Sequence, residues 1–95
     1  GFQIKRIEVM PAMRLSLQQH SKRSEKWILI QGAGVVTLGD KSIPVERGSV
    51  IDIPVQKIHR IHNTGHEKLI FIEVQLGDYL GEDDIVRIED DYKRA

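Results

Sequence analysis

The chain has 95 residues, 40% of them hydrophobic, which is enough for a single compact domain over residues 1–95. Its 14 basic and 14 acidic residues cancel at pH 7, so composition favours a small-molecule or protein partner over nucleic acid or an anionic membrane. The absence of cysteine excludes disulfides, thiolate metal sites and cysteine nucleophiles. Its apolar runs are far shorter than the roughly 20 residues needed to span a bilayer. Because its first residues also have no signal-peptide layout, we expect a soluble, cytoplasmic protein.

Short apolar segments with a period of two residues predict eight strands between Gly1 and Leu76. They cover residues 2–9, 13–20, 26–31, 34–38, 42–45, 49–53, 58–63 and 68–76, with turn residues between them. Short strands at such even spacing favour an all-β sandwich or small barrel, and a jelly roll is the natural way to close its edges.

The last segment, GEDDIVRIEDDYKRA (81–95), has a different periodicity. It places Ile85, Ile88 and Tyr92 at helical spacing, with acidic residues leading and basic residues trailing as the helix dipole prefers. This pattern predicts a short C-terminal helix that covers one end of the barrel.

Side chains alternate between the two faces of a strand, so the strand at 13–20 has one polar and one apolar face. The polar face carries Arg14, Ser16, Gln18 and His20. An apolar face directed outward would need a partner sheet or a second subunit, and we therefore expect a homodimer.

Two spacings stand out: Gln18-x-His20-x4-Glu25-x6-Gly32 and Gly48-x5-Pro54-x-Gln56-x2-His59-x3-Asn63. They resemble the two motifs of the cupin superfamily, in which histidines and a glutamate bind a divalent metal inside a jelly roll. The resemblance implies a cupin double-stranded β-helix, with Gln18, His20, Glu25 and His59 as metal ligands. Taken singly, such residues are more often surface or hydrogen-bonded side chains, so an ordinary polar strand is the alternative.

The match departs from the cupin motifs at three positions. Ala12 stands where the first glycine belongs, Gln18 replaces the first histidine, and Gln56 replaces the internal glycine of the second motif.

A narrower resemblance covers essentially the whole chain. PAMRLSLQQHSKRSEKW (11–27), IPVQKIHRIHN (53–63) and IEVQLGDYLGEDDIVRIEDDY (72–92) are similar to the C-terminal isomerase domain of type II phosphomannose isomerases. In that family a glutamine already precedes the histidine. The resemblance implies interconversion of mannose 6-phosphate and fructose 6-phosphate in GDP-mannose and polysaccharide synthesis. No glycine-rich nucleotidyltransferase segment accompanies it.

An amide oxygen, two imidazoles and one carboxylate would leave a divalent ion with net positive charge and open positions. That arrangement suits Lewis-acid chemistry on a sugar carbonyl or hydroxyl. Zinc is the first expectation; manganese, cobalt, nickel and iron accept similar ligands.

An isomerase also needs a base near the metal and donors for the phosphate. The family usually reads HxHRxEHW where this chain has HSKRSEKW, so Lys22 and Lys26 stand where histidines are common. Lysine acts as a base near neutral pH only where burial or a neighbouring cation lowers its pKa. Lys26 is one candidate base and Lys22 a candidate phosphate ligand, but both are equally interpretable as exposed lysines.

Alternation along the strand at 68–76 supplies a second candidate base. Glu73 shares a face with Gln75, and it approaches the metal if that face lines the barrel. The alternative is a structural ion pair between Glu73 and Arg14. The phosphate candidates are Arg14, Lys22, Arg23 and, with less weight because it should point away from His59, Arg60.

Two other functions compete with the isomerase. The altered HSKRSEKW segment favours a non-catalytic cupin that binds a sugar phosphate or sugar nucleotide. A different cupin isomerase or epimerase acting on a related sugar phosphate is the third.

Overall fold

The computed structural model describes residues 1–81 and 85–89, and these residues form two sheets. The strands are β1 Phe2–Val9, β2 Leu17–His20, β3 Arg23–Gln31, β4 Ala33–Leu38, β5 Lys41–Glu46, β6 Val50–Ile53, β7 His59–Asn63, β8 Leu69–Gly77 and β9 Ile85–Glu89. The four-stranded sheet has the order β1-β8-β3-β6 and the five-stranded sheet the order β5-β4-β7-β2-β9. The prediction of an all-β fold is confirmed.

Each of the predicted strands is present, and the largest boundary changes fall at β2 and β3. Strand β2 begins at Leu17, although the preceding residues still pair across the sheet, as the Leu15 amide does with the Ile61 carbonyl at 3.0 Å. Strand β3 begins at Arg23, three residues earlier than predicted. Hydrophobic periodicity misses this start because the inward-facing residues here, Arg23 and Glu25, are charged.

The prediction of a C-terminal helix is wrong within the described residues. Ile85–Glu89 forms strand β9, which runs antiparallel to β2 with His20 opposite Ile85 and Gln19 opposite Val86. Short apolar runs fit both periodicities, and here pairing with β2 satisfies backbone groups that would otherwise form an open sheet edge. The remainder of the predicted helix, 82–84 and 90–95, lies outside the described residues. In the described part of the chain, no helix is long and apolar enough to cross a membrane.

The space between the sheets changes from apolar to polar along β3 and β8. At the apolar end Leu29 lies opposite Phe71 in the ladder, and both are essentially fully buried. Further along, Trp27 pairs with Glu73 and Glu25 with Gln75, all of them buried. Burial of polar groups is costly unless they are paired, so the polar end is where the fold holds a site.

Two turns adopt backbone conformations that normally require glycine. Ala12 and Gln56 have φ values of 68° and 65°, in the left-handed region. These are the two positions at which the cupin motifs carry glycine and this chain does not. The Gln56 amide also donates to the His20 carbonyl at 2.6 Å, which ties this turn to the end of β2.

Candidate metal centre

Three buried side chains converge at the polar end of the barrel. His20 ends β2, His59 begins β7, and Glu25 lies on β3 in the facing sheet. Each of the three is 3% exposed. The site therefore bridges the two sheets, and its geometry depends on their packing.

The distances within this cluster suit a single ion. The Glu25 carboxylate lies 3.3 Å from His20 Nδ1 and 3.9 Å from His59 Nε2. One ligand atom from each of the three residues lies within 4.8 Å of the others. Two imidazoles and a carboxylate are ordinary ligands for a divalent transition metal.

The orientation of His59 is set by the backbone. Its Nδ1 lies 2.9 Å from the Lys57 carbonyl oxygen, which can only accept, so Nδ1 carries the proton and Nε2 presents a lone pair toward Glu25. Burial lowers the pKa of His59, and this outweighs the Lys57 hydrogen bond and the Glu73 charge, which act in the opposite direction. The ring is therefore held neutral, as a metal ligand must be.

Arg23 and Trp27 hold Glu25 in place. Arg23 donates from Nε to Glu25 Oε2 at 3.0 Å and from Nη2 to His20 Nε2 at 2.8 Å. Trp27 donates from Nε1 to Glu25 Oε1 at 2.9 Å, and its ring packs edge-on against His59. Both carboxylate oxygens thus have a fixed donor, which sets the orientation that the site presents.

Gln18 is the predicted fourth ligand. It is the cross-strand partner of His59 and lines the same pocket. Its Nε2 donates to Ser16 Oγ at 2.6 Å, so the two atoms of the amide are distinguished and the oxygen is the one suited to a metal. Its assignment as a ligand stays a prediction.

Glu73 on β8 has the chemistry of a proton carrier. Burial raises its pKa to about 7, and a hydrogen bond to Glu25 and the charge of Glu25 act in the same direction. Gln75 and Arg23 oppose the shift without cancelling it. A carboxyl group with a pKa near neutrality, next to a candidate metal site, is suited to general acid–base catalysis.

All of these residues except His20 line one pocket of about 400 Å³, a size typical of small-molecule sites. Its wall includes three cationic side chains outside the cluster, Lys5, Arg6 and Arg60. The pocket can therefore accommodate an anionic metabolite of sugar size.

Four of the predicted site residues do not line this pocket, and one of them, His20, belongs to the cluster with Glu25 and His59. Lys26 points to the opposite face of β3 from Glu25, is exposed, and has its Nζ 3.6 Å from Asp52, which corrects its assignment as a base. Lys22 is exposed, with its Nζ 4.8 Å from the centroid of the Tyr79 ring. Arg14 forms a β-bridge with His62 outside the pocket wall. Alternation explains why Lys26 points outward, because neighbouring residues in a strand point to opposite faces.

Two predicted arginines do line the pocket. Arg23 is used within the cluster, as described above. Arg60 is 6% exposed and donates from Nε to the Leu15 carbonyl at 2.9 Å, so the expectation that it would point away from the site is wrong. Alternation along β7 does not fix the direction of this long side chain.

Sequence reasoning missed Lys5, Trp27 and Gln75 as pocket residues. Lys5 is the cross-strand partner of Glu73, and alternation along β1 places it on the face of buried Val9. The position of Lys5 follows from the pairing of β1 with β8, and no local sequence pattern predicts that pairing. Gln75 is two residues from Glu73, and the alternation rule already puts both on one face.

The family model described as mannose-6-phosphate isomerase C-terminal matches residues 1–90. The chain belongs to this family. Among curated relatives, the alginate biosynthesis protein AlgA of Pseudomonas aeruginosa is 48% identical over 94 residues, which are 99% of this chain and 20% of AlgA. The xanthan biosynthesis protein XanB of Xanthomonas campestris pv. campestris is 50% identical with the same coverage of 99% and 20%.

This member of the mannose-6-phosphate isomerase C-terminal family thus spans about a fifth of the length of those relatives. Among solved structures, a protein with a double-stranded β-helix domain from Klebsiella pneumoniae superposes with a TM-score of 0.83 at 18% identity, over 94% of this chain and 76% of that chain. At this identity the likeness concerns the fold alone, and it confirms the double-stranded β-helix.

Proposed function

We propose that this chain interconverts mannose 6-phosphate and fructose 6-phosphate with the help of a divalent metal ion, in the synthesis of GDP-mannose and polysaccharide. Membership of the mannose-6-phosphate isomerase C-terminal family supports this proposal. The observation that carries it is the position of Glu73, a carboxyl group with a pKa of about 7 that is hydrogen-bonded to Glu25 of the metal cluster.

Glu73 is the proposed base. Isomerisation moves a proton between C2 and C1 of the sugar through an enediol, and one carboxylate can remove it from C2 and return it to C1 while O1 gains and O2 loses a proton. With a pKa of about 7, a substantial fraction of Glu73 is ionised at neutral pH, yet the acid form remains accessible for the return step. Its neighbour Gln75 donates to its Oε1 at 3.2 Å and fixes the carboxyl group.

The proposed ligands of the metal are Gln18, His20, Glu25 and His59, and zinc is the first candidate for the ion. A bound ion would polarise the carbonyl and hydroxyl oxygens of the sugar. Manganese, cobalt, nickel and iron suit the same nitrogen and oxygen set.

Cations of the pocket wall would bind the phosphate. Arg60 is held by its bond to Leu15, and Lys5 lies across the β1–β8 ladder from Glu73. A phosphate bound there would keep the charged end of the substrate apart from the cluster that handles C1 and C2. Lys22 and Arg14, which lie outside the pocket wall, have no part in this proposal.

A coupled assay of purified protein with mannose 6-phosphate, with and without added divalent metals, tests the activity. We expect turnover that His59→Ala and Glu73→Gln abolish while the circular dichroism spectrum is unchanged. Lys26→Ala is the matched control on the outer face of β3, and it should retain full activity. Absence of turnover with every metal would refute the proposal.

The competing non-catalytic function was favoured by the two lysines in HSKRSEKW. Both lie outside the pocket wall, so their presence does not bear on its chemistry. Retained binding of mannose 6-phosphate without turnover would restore that alternative.

A homodimer is a further proposal, supported by the exposed apolar side chains on the outer face of the four-stranded sheet. Phe2 and Ile4 of the edge strand β1 are 68% and 58% exposed. Sedimentation equilibrium should give twice the monomer mass for the wild type and the monomer mass for Ile4→Glu; a monomeric wild type would contradict the proposal.

A further inference from the structure

Two buried polar atoms of the pocket residues lack a hydrogen-bond partner within the part of the chain that the structure describes. They are Nη1 of Arg23 and Oε1 of Gln75. The two residues are 3% and 0% exposed, and both line the pocket. Buried polar groups are nearly always hydrogen-bonded, so a pair of such atoms in one pocket calls for a specific explanation.

Neither side chain can turn away to find another partner. Arg23 is held by its bonds to Glu25 and His20. Gln75 is held by donation from its Nε2 to Glu73 at 3.2 Å, which also identifies Oε1 as the atom left over. The two residues sit on neighbouring strands, with Gln75 opposite Glu25 and Arg23 opposite Gly77.

The chemistry of the two atoms defines the ligand group that would satisfy them. Nη1 of Arg23 is a donor and Oε1 of Gln75 is an acceptor. A phosphate or carboxylate could pair only with the arginine, and an ammonium only with the glutamine. A hydroxyl group both accepts and donates, so it can satisfy both atoms.

We propose that Gln75, together with Arg23, forms a subsite that recognises one hydroxyl group of the sugar and makes Gln75 a specificity-determining residue. This inference rests on the proposed function, because it assigns the substrate to the same pocket. An analogue without that hydroxyl would leave both buried atoms unpaired, which is the situation in which polar sites discriminate strongly.

Binding calorimetry on the zinc-loaded protein tests the proposal. The ligands are mannose 6-phosphate and a set of analogues that each lack one ring hydroxyl. For the wild type, we expect one analogue to bind about 10- to 100-fold more weakly than the parent. For Gln75→Met, the parent and that same analogue should bind equally. Gln3→Met, the same change at the exposed cross-strand neighbour of Gln75, should discriminate as the wild type does.

The outcomes separate this inference from the function on which it rests. If the wild type binds mannose 6-phosphate but Gln75→Met keeps the same discrimination, the subsite is refuted and the isomerase proposal stands. If the wild type binds no sugar phosphate, both fail. Should Gln75→Met not fold, Gln75→Asn retains the amide on a shorter side chain and should lose most of the discrimination; full discrimination in that folded variant would also refute the subsite.

Discussion

At the polar end of the barrel, the two faces of the four-stranded sheet reverse the usual arrangement of a protein. The inner face there carries buried Arg23, Glu25, Glu73 and Gln75, whereas the outer face exposes Phe2, Ile4 and Leu76. Soluble sheets normally place apolar side chains inward and polar side chains toward water. A polar interior is costly to bury and contributes little to stability by itself, and this end of the barrel is the candidate site.

Glu25 and Lys26 show how sharply the two faces differ. They are consecutive in β3, yet Glu25 belongs to the candidate metal site and Lys26 lies near Asp52 on the outside. A lysine in place of a histidine at position 26 therefore leaves the inner face unaltered.

The largest expected effect comes from breaking the inner ion pair. Arg23→Met leaves Glu25 as a buried charge without its main partner, and we expect a loss of about 3–5 kcal/mol in the free energy of unfolding. Lys26→Met on the outer face should change it by less than about 0.5 kcal/mol. Urea denaturation of both variants measures the difference. Similar losses in the two variants would mean that the two faces are energetically alike.

The pH dependence of stability tests the inner face through Glu73. Its pKa is about 7 in the folded chain and 4.5 as a reference, so between these values the folded protein holds a proton that the unfolded chain releases. Glu73 therefore favours folding below about pH 4.5, and this contribution is lost as pH rises through about 7. At roughly 1.4 kcal/mol per pKa unit, the loss is about 3 kcal/mol.

Glu73→Gln removes this titration. We expect the variant to gain about 3 kcal/mol relative to the wild type between pH 4.5 and pH 8, in denaturation experiments with chelator present. Glu46→Gln, at an exposed position of β5, should follow the wild-type profile. If the Glu73→Gln and wild-type profiles were parallel, Glu73 would not be the group that titrates.

Metal binding tests the candidate site on the inner face through its predicted ligands. Protein purified without chelator should contain about one divalent ion per chain, and at 100 times the dissociation constant that ion would raise the free energy of unfolding by about 2.7 kcal/mol. His59→Ala should lose both the ion and the stabilisation. Elemental analysis and chelator-dependent melting measure them. A wild type that neither contains nor takes up metal would refute the site.

Much of the barrel was predictable from sequence because alternation and turn residues are local signals. The strand at 34–38 and the shared face of Ser16 and Gln18 are examples, and both are confirmed. The early start of β3 and the strand at 85–89 were not predictable, since their side-chain patterns are decided by partners distant in sequence.

The residues of the candidate site also fall into a group that sequence predicted and a group that it did not. The motif spacings identified His20, Glu25 and His59, which the fold does bring together. Lys5 reaches the pocket only through the pairing of β1 with β8, which no spacing along the chain discloses. Arg60 was a candidate with less weight, because alternation does not predict where its long side chain reaches. Sequence therefore predicted the inner-face residues that belong to a motif and missed those that only strand pairing brings to the pocket.

The smallest expected effect comes from backbone strain in two turns. Ala12 and Gln56 adopt positive φ values of 68° and 65°, which cost an L-residue about 1–2 kcal/mol. Glycine removes that cost but has more freedom to lose on folding, so Ala12→Gly and Gln56→Gly should each raise the free energy of unfolding by about 0.5–1 kcal/mol. Gly48→Ala is the reverse control, because φ there is 90° and an added Cβ would meet nothing within 4 Å. It should lower stability by a similar amount, so that urea denaturation of the three variants measures backbone strain alone. Glycine variants less stable than the wild type would show that the Ala12 and Gln56 side chains stabilise their turns by more than the strain costs.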